Sequence, residues 1–200
     1  MYIVGPYLFS GDQLDLYLKG RKAEAVAAAR GADGGAEDGG DGEAGTPGDR
    51  VRALYQRFRI SDTKMHVDRA HFTGERPLID EECTAIAVKD QDRRKYKAIT
   101  ITVPYSGDPH LFTCQPTVYS ANQPQADVKD GALHMTWFLA EVEEFQLENN
   151  FKRQIALIER TLEVSQWQAM GCNQEMMAAL EGALLGAADH GGDGAPDASG

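Results

Sequence analysis

The spacing of apolar residues in the last quarter of the chain is typical of a helix with one apolar face. Apolar or small residues recur there at intervals of three and four, and this frame predicts a helix over residues 146–186. Six positions in this frame form what we call the helix seam: Phe151, Ile155, Ile158, Leu162, Ala169 and Met176. Glycine inside a helix costs only about 1 kcal/mol relative to alanine. One continuous helix and a helical hairpin broken near Gly171 therefore both fit the pattern.

A continuous helix of this length would be about 60 Å long and would extend beyond a domain of this size. The overhanging part of the helix seam would then need a partner. We expect that partner to be a second copy of the chain, in a coiled coil, or another protein.

Alternating apolar and polar residues in the middle of the chain predict an antiparallel sheet. Residues 83–89 and 97–103 alternate, and the polar segment between them, DQDRRKY, is typical of a hairpin connection. Asp130-Gly131 predicts a second hairpin, because this pair readily adopts the positive backbone angles of a tight turn. The longer arm of that hairpin places three large residues on one face: Met135, Trp137 and Leu139.

The first thirty residues predict a strand and a helix that belong to the same core. Strand-like residues 1–10 are interrupted by Gly5-Pro6, which favours an edge or bulged strand, and a helix is predicted from Gln13 to Gly31. Asp49 is expected to cap a second, short helix. The predicted fold class is therefore α+β, with a small antiparallel sheet of four or five strands in residues 50–145, packing helices, and a long C-terminal helix.

Composition separates two segments from this core. Residues 31–49 are rich in glycine and acids and contain no lysine or arginine, and residues 187–200 are similar. Such segments bury too little apolar surface to offset the entropy of ordering, so both are predicted to be disordered. Their nine acids account for most of the formal net charge of −11, which becomes about −2 without them. The acidity is therefore not a sign of a charged binding face.

Other features exclude several classes of function. No apolar run reaches the roughly 18 residues of a membrane span and no signal peptide is evident, so we expect a cytoplasmic protein without membrane contact. The only dense basic cluster is residues 92–97, so no nucleic-acid partner is expected. Three widely spaced cysteines predict neither disulfides nor a metal site, and no cofactor is expected.

The segment VPYSGDPHLF, residues 103–112, has two interpretations. Pro104 would end a strand, and the residues from Ser106 to Pro109 would turn the chain, with Gly107 supplying a left-handed angle and Asp108 a local hydrogen bond. Alternatively, Asp108 and His110 would serve as base or metal ligands in a ligand loop. The turn is favoured, because the glycine-rich pattern and following helix of a phosphate site are both missing.

A weak acidic pattern is the basis of a rival enzymatic hypothesis. Asp80 and Glu82 precede Lys89 in an order that partly fits a metal-dependent nuclease. Such a nuclease would have an acid two residues before the lysine, and Ala87 occupies that position.

Residues 97–165 resemble an uncharacterised bacterial protein family. The resemblance is carried by the block PYSGDPHLFTCQPTV, which fits the pattern P(F/Y)xGDPxLFxxxP(S/T), followed by a strand pair and a long helix. It implies a shared fold, and it brings no activity or catalytic residues.

The leading hypothesis from these patterns is a non-enzymatic component of a bacterial multiprotein system that oligomerises or docks through its C-terminal helix. The alternatives are a metal-dependent hydrolase or nuclease that uses Asp80, Glu82, Asp108 or His110, and a small-ligand sensor with a pocket beside residues 104–112.

Overall fold

A computed structural model of the chain describes residues 1–31, 46–118 and 122–185. The predicted disordered tail and residues 32–45 of the predicted acidic insert lie outside the described residues. The described residues fall into two compact units, one within Met1–Leu14 and Ser61–Trp167 and the other within Asp15–Ile60 and Gln168–Gly200. The domain boundaries predicted from the sequence stay a prediction.

The first unit is built on an antiparallel sheet. Its strands are β1 (Tyr2–Val4), β2 (Lys64–Met65), β3 (His71–Pro77), β4 (Tyr96–Ser106), β5 (Asp127–Lys129) and β6 (Ala132–Ala140). Strands β4 and β6 pair along the centre, β1 and β5 pair with β6, and β2 and β3 pair with β4. The predicted α+β class is confirmed.

The predicted hairpin at Asp130-Gly131 is present. Both residues have positive φ, 52° and 72°, which matches the twist of the flanking strands β5 and β6. The alternation predicted for β6 is also confirmed, since Met135, Trp137 and Leu139 are each at most 1% exposed.

The first predicted hairpin is wrong. Residues Asp80–Ala85 form a short helix, α3, and Asp90–Lys95 form a 3-10 helix, so β4 pairs instead with β3. The helix is favoured because Glu82 Oε2 accepts a hydrogen bond of 2.9 Å from the backbone N–H of Ile79 at its start. Strand β3 was missed because it is mostly exposed and contains Gly74 and Pro77, which are rare inside strands.

The C-terminal helix, α5, runs without interruption over Leu147–Leu185 and passes through Gly171. The long-helix prediction is confirmed, and the hairpin alternative is excluded. Five of the six seam residues are buried within the chain: Ile155, Ile158, Leu162, Ala169 and Met176. The sixth, Phe151, is half-buried, with its ring centroid 6.3 Å from that of Trp137.

The second unit packs three helical segments around a small apolar core. Helix α1 (Leu14–Gly31) contributes Ala25 and Ala29, and helix α2 (Pro47–Phe58) contributes Val51 and Phe58. The end of α5 contributes Met176, Leu180 and Leu184.

Helix α2 begins earlier than predicted. Its cap is Thr46, whose hydroxyl accepts the backbone N–H of Asp49 at 3.2 Å, so Asp49 lies inside the helix.

Candidate functional site

The predicted turn at residues 104–112 joins β4 to a short helix, α4 (His110–Thr113). Gly107 has φ of +101°, and Asp108 Oδ1 accepts hydrogen bonds from the backbone N–H of His110 at 2.9 Å and from its Nδ1 at 2.8 Å. The Asp108 carbonyl oxygen accepts the Thr63 hydroxyl at 2.9 Å. Ser106 is exposed beside them. The polar groups of this loop are therefore directed to their own backbone and neighbours, as in a structural turn.

The acids of the nuclease hypothesis lie on α3 and are paired with arginines. Glu82 accepts hydrogen bonds of 2.7 and 2.5 Å from the two terminal nitrogens of Arg76, and Asp80 pairs with Arg93. The hydrogen bonds from Arg76 hold the pKa of the Glu82 carboxyl below its ordinary value. Within residues 1–31, 46–118 and 122–185, no group of three or more His, Cys, Asp or Glu residues could hold a metal ion.

Two of the cysteines have thiols that burial makes harder to ionise. Burial raises the pKa of Cys114 and of Cys172, and the Cys172 thiol donates a hydrogen bond of 3.3 Å to the Leu18 carbonyl oxygen. Reactive cysteines have lowered pKa values, so these two sites have the character of structural thiols.

A cleft of about 530 Å³ opens elsewhere in the first unit, and we call it the amide cleft. Its lining residues are Tyr7, Asn122, Gln123, Gln125, Arg153, Gln154 and Leu157. Three regions of the sequence contribute to it: the segment after β1, the segment before β5, and the second and third turns of α5. Its volume lies in the range of about 300–1,000 Å³ that is typical of small-molecule sites.

The segment after β1 reaches the cleft because Gly5 and Pro6 redirect the chain. Gly5 has φ of +125°, a conformation that favours glycine, and it ends the strand that began at Tyr2. Beyond it, the chain is held by hydrogen bonds from Leu8 N to Pro124 O at 2.8 Å and from Ala126 N to Pro6 O at 3.1 Å. These bonds place Tyr7 directly beside Gln125.

Phe9, next to this segment, has a strained backbone. Its φ of 56° is uncommon for a bulky residue and costs on the order of 1–3 kcal/mol. The conformation is held by burial of the ring and by a hydrogen bond of 2.7 Å from Phe9 N to Phe112 O. The Phe9 carbonyl oxygen in turn accepts Gln123 Nε2 at 3.3 Å, so the strained residue positions one amide of the cleft.

Gln154 is the residue that distinguishes this cleft from an ordinary surface groove. It is 8% exposed, and its Oε1 atom is buried without a hydrogen-bond partner among the described residues. A buried acceptor left unsatisfied costs about 1–3 kcal/mol. Gln154 lines the cleft, and a rotation of its side chain toward the cleft would let this buried oxygen accept a hydrogen bond from a bound molecule.

None of the cleft residues was identified from the sequence, and the cleft is not the one expected beside residues 104–112. The sequence nevertheless contains two features that indicate this cleft. Gln154 is a polar residue on the apolar face of α5, next to Ile155 of the helix seam, and Asn122, Gln123 and Gln125 form an unusually amide-rich stretch. Periodicity shows that Gln154 is buried, but it does not show which distant segments surround it.

Comparisons with protein-family models, with curated proteins and with solved structures returned no match. The resemblance of residues 97–165 to a bacterial family therefore stays a prediction from its motif. None of the helices in the described ranges has the combined length and apolar composition that a membrane crossing requires.

Proposed function

We propose that this protein binds a small polar molecule in the amide cleft and does not transform it. The observation that carries the proposal is Gln154, a residue of the cleft lining whose Oε1 atom is buried with no hydrogen-bond partner among the described residues. A ligand that donates an N–H or O–H group to this atom would remove an uncompensated desolvation cost. The volume of the cleft also supports the binding of a small molecule.

The composition of the lining supports binding over catalysis. Its described residues are amides, one tyrosine, one arginine and one leucine, so they supply no carboxylate, imidazole or thiol that could act as a general base near neutral pH. Side-chain amides fix the orientation of a ligand through hydrogen bonds.

The test is a titration of the full chain with a library of polar metabolites, followed by nuclear magnetic resonance of the side-chain amide groups. We expect at least one compound to shift the Gln154 amide signals together with those of Gln123 or Gln125. Gln154→Met, which keeps the length and removes the acceptor, should weaken that binding at least tenfold. If no compound moves these signals at millimolar concentration, the proposal is wrong.

Assembly through the C-terminal helix is the second candidate, and we propose it for a second copy of the chain. Five of the six helix-seam residues are buried within the chain, so the proposed contact lies elsewhere on α5. Trp167 of α5, however, is 66% exposed, and exposed tryptophans are common anchors in protein interfaces.

Light scattering over a range of concentrations should show a dimer that Trp167→Lys dissociates. The matched variant Phe72→Lys, at an aromatic residue that is 59% exposed, should leave the dimer intact. A monomer at all concentrations would refute this candidate.

A further inference from the structure

Three glutamines of the amide cleft each carry a side-chain oxygen that can accept a hydrogen bond. Gln123 Nε2 donates to the Phe9 carbonyl oxygen at 3.3 Å, and Gln125 Nε2 donates to the Gly5 carbonyl oxygen at 2.9 Å. Each of these amides uses its nitrogen to hold the backbone, which leaves its oxygen as an acceptor. Together with Gln154, three glutamines of the lining therefore carry an amide oxygen that can accept from a ligand rich in donors.

Hydroxyl groups are the donors that suit this arrangement best. A polyol presents several O–H groups close together, and each can donate to a different amide oxygen. An ammonium group also donates several hydrogen bonds, but Arg153 on the same lining would repel a cationic ligand.

Arg153 adds a positive charge that has no acidic partner within the described residues. Its guanidinium donates one hydrogen bond of 2.8 Å, to the neutral Asn150 Oδ1, and forms no ion pair with a described carboxylate. A guanidinium has five N–H donors in a planar fork that fits a carboxylate or a phosphate. The donors of Arg153 for which the described residues supply no acceptor therefore favour an anionic group on the ligand.

Tyr7 and Leu157 complete the lining with apolar surface. The Tyr7 side chain is 56% exposed, so its ring can cover the C–H face of a sugar while the phenol group remains available for hydrogen bonding. The lining therefore suits a sugar that carries both hydroxyls and an acid group. The amide oxygens would accept from the hydroxyls, Arg153 would pair with the acid group, and Tyr7 would cover the C–H face of the sugar.

We infer that the ligand of the amide cleft is a hydroxylated small anion, a sugar that carries one carboxylate or phosphate group. This inference rests on the proposed binding function and adds the class of ligand to it. The hydroxyls would donate to the oxygens of Gln123, Gln125 and Gln154, and the acid group would pair with Arg153.

Four sugars of similar size test the class on the full chain by calorimetry and by the side-chain amide signals. They are D-glucuronate, D-glucose 6-phosphate, neutral D-glucose and cationic D-glucosamine. We expect one or both anionic sugars to bind at least tenfold more tightly than glucose and glucosamine. The two anions distinguish a carboxylate from a phosphate as the group that Arg153 recognises.

The variant Arg153→Gln should remove the preference for the anions. Lys152→Gln is its matched control, because Lys152 is the neighbouring cation on α5, pairs with Glu148 at 2.5 Å, and does not line the cleft. The control should retain the preference, and both variants should keep the thermal stability of the parent protein.

The outcomes separate this inference from the proposed function. If glucose binds as tightly as the anions, or if Arg153→Gln keeps the preference, the inferred class is wrong while binding in the cleft stands. If none of the four sugars moves the Gln154 signals but another polar metabolite does, the class is again wrong and the binding function stands. If no metabolite moves them, both fail.

Discussion

Gly107 lies against Thr63 so closely that a β-carbon on Gly107 would be 2.6 Å from the Thr63 Cα atom. Real β-carbon contacts are essentially never this short, and the neighbouring atoms are backbone that cannot rotate away. The glycine of the turn after β4 is therefore required twice, once for its φ of +101° and once for the missing side chain.

Gly107→Ala should destabilise the protein by about 2 kcal/mol or more, because it adds a backbone clash to the strain of a positive φ. Gly131→Ala separates the two effects. Gly131 also has a positive φ, +72°, but its β-carbon would meet no atom within 4 Å, so we expect a cost of about 1 kcal/mol. Urea unfolding measures both variants, and equal losses would contradict the packing of Gly107 against Thr63.

Ile158→Ala should cost about 2–5 kcal/mol in unfolding free energy, because Ile158 is fully buried and alanine would leave a cavity. Trp167→Ala on the same helix removes a side chain that is 66% exposed and should cost far less. This contrast tests whether the helix seam is covered within the chain. If Ile158→Ala changes only the oligomeric state and leaves the stability of the monomer intact, the seam is an interface after all.

Gly171→Ala should stabilise the protein by up to about 1 kcal/mol. Gly171 lies inside α5, and an added β-carbon would meet nothing within 4 Å outside the backbone of its own helix, so alanine gains helix propensity without a clash. Thermal unfolding measures the effect, and Gly20→Ala in α1, where the space is equally open, is the parallel case. A loss of stability at Gly171 alone would indicate that the helix bends or breaks there.

Gln154→Met should leave the stability of the ligand-free protein unchanged or raise it, because methionine removes a buried acceptor that has no partner and fills a similar volume. The control is Gln166→Met on the same helix. Gln166 donates to the Thr63 carbonyl oxygen, so its replacement should cost about 1 kcal/mol. If chemical denaturation shows equal losses for the two variants, Gln154 has an internal structural role.

The pair between Arg76 and Glu82 should make stability depend on pH in the acid range. The pKa of Glu82 is lowered in the folded protein by the Arg76 hydrogen bonds, so the pair stabilises the fold above the ordinary carboxyl pKa. This contribution is lost as the pH falls through the lowered folded-state value.

Glu82→Gln should therefore cost on the order of 0.5–1 kcal/mol at pH 7, and much less at pH 3. Glu148→Gln removes an exposed pair with Lys152 and should have a smaller effect at either pH. Unfolding curves from pH 3 to pH 7 check this. A difference between the parent and Glu82→Gln that does not shrink in acid would mean that Glu82 contributes through something other than its charge.

The parts of the fold that were predicted correctly depend on short-range physics. The Asp130-Gly131 turn, the alternation in β6 and the helical period of residues 146–186 each follow from backbone sterics or from one apolar face. The first hairpin failed because residues 83–89 alternate like a strand, while the acids at the start of α3 and the hydrogen bond to Ile79 N favour a helix. The alternation of apolar and polar residues does not show whether strand pairing or helix capping contributes more free energy.

The candidate site was much less predictable than the fold. The cleft residues are far apart in the sequence. More than a hundred residues separate Tyr7 from Gln125, and about thirty separate Gln125 from Gln154. No spacing rule connects such positions. They share one cleft only because Gly5 redirects the chain after β1 and because α5 packs its polar Gln154 beside them.

By itself, the sequence determined the class of the fold, the long C-terminal helix and the β5–β6 hairpin, because local periodicity and turn chemistry act over a few residues at a time. Tertiary structure alone decided that β3 pairs with β4, that the helix seam is covered by the chain's own residues, and that Gln154 lines a cleft. Each of these depends on contacts between distant segments, and the free energy of such contacts is set by burial and hydrogen bonding that appear only when the chain has folded.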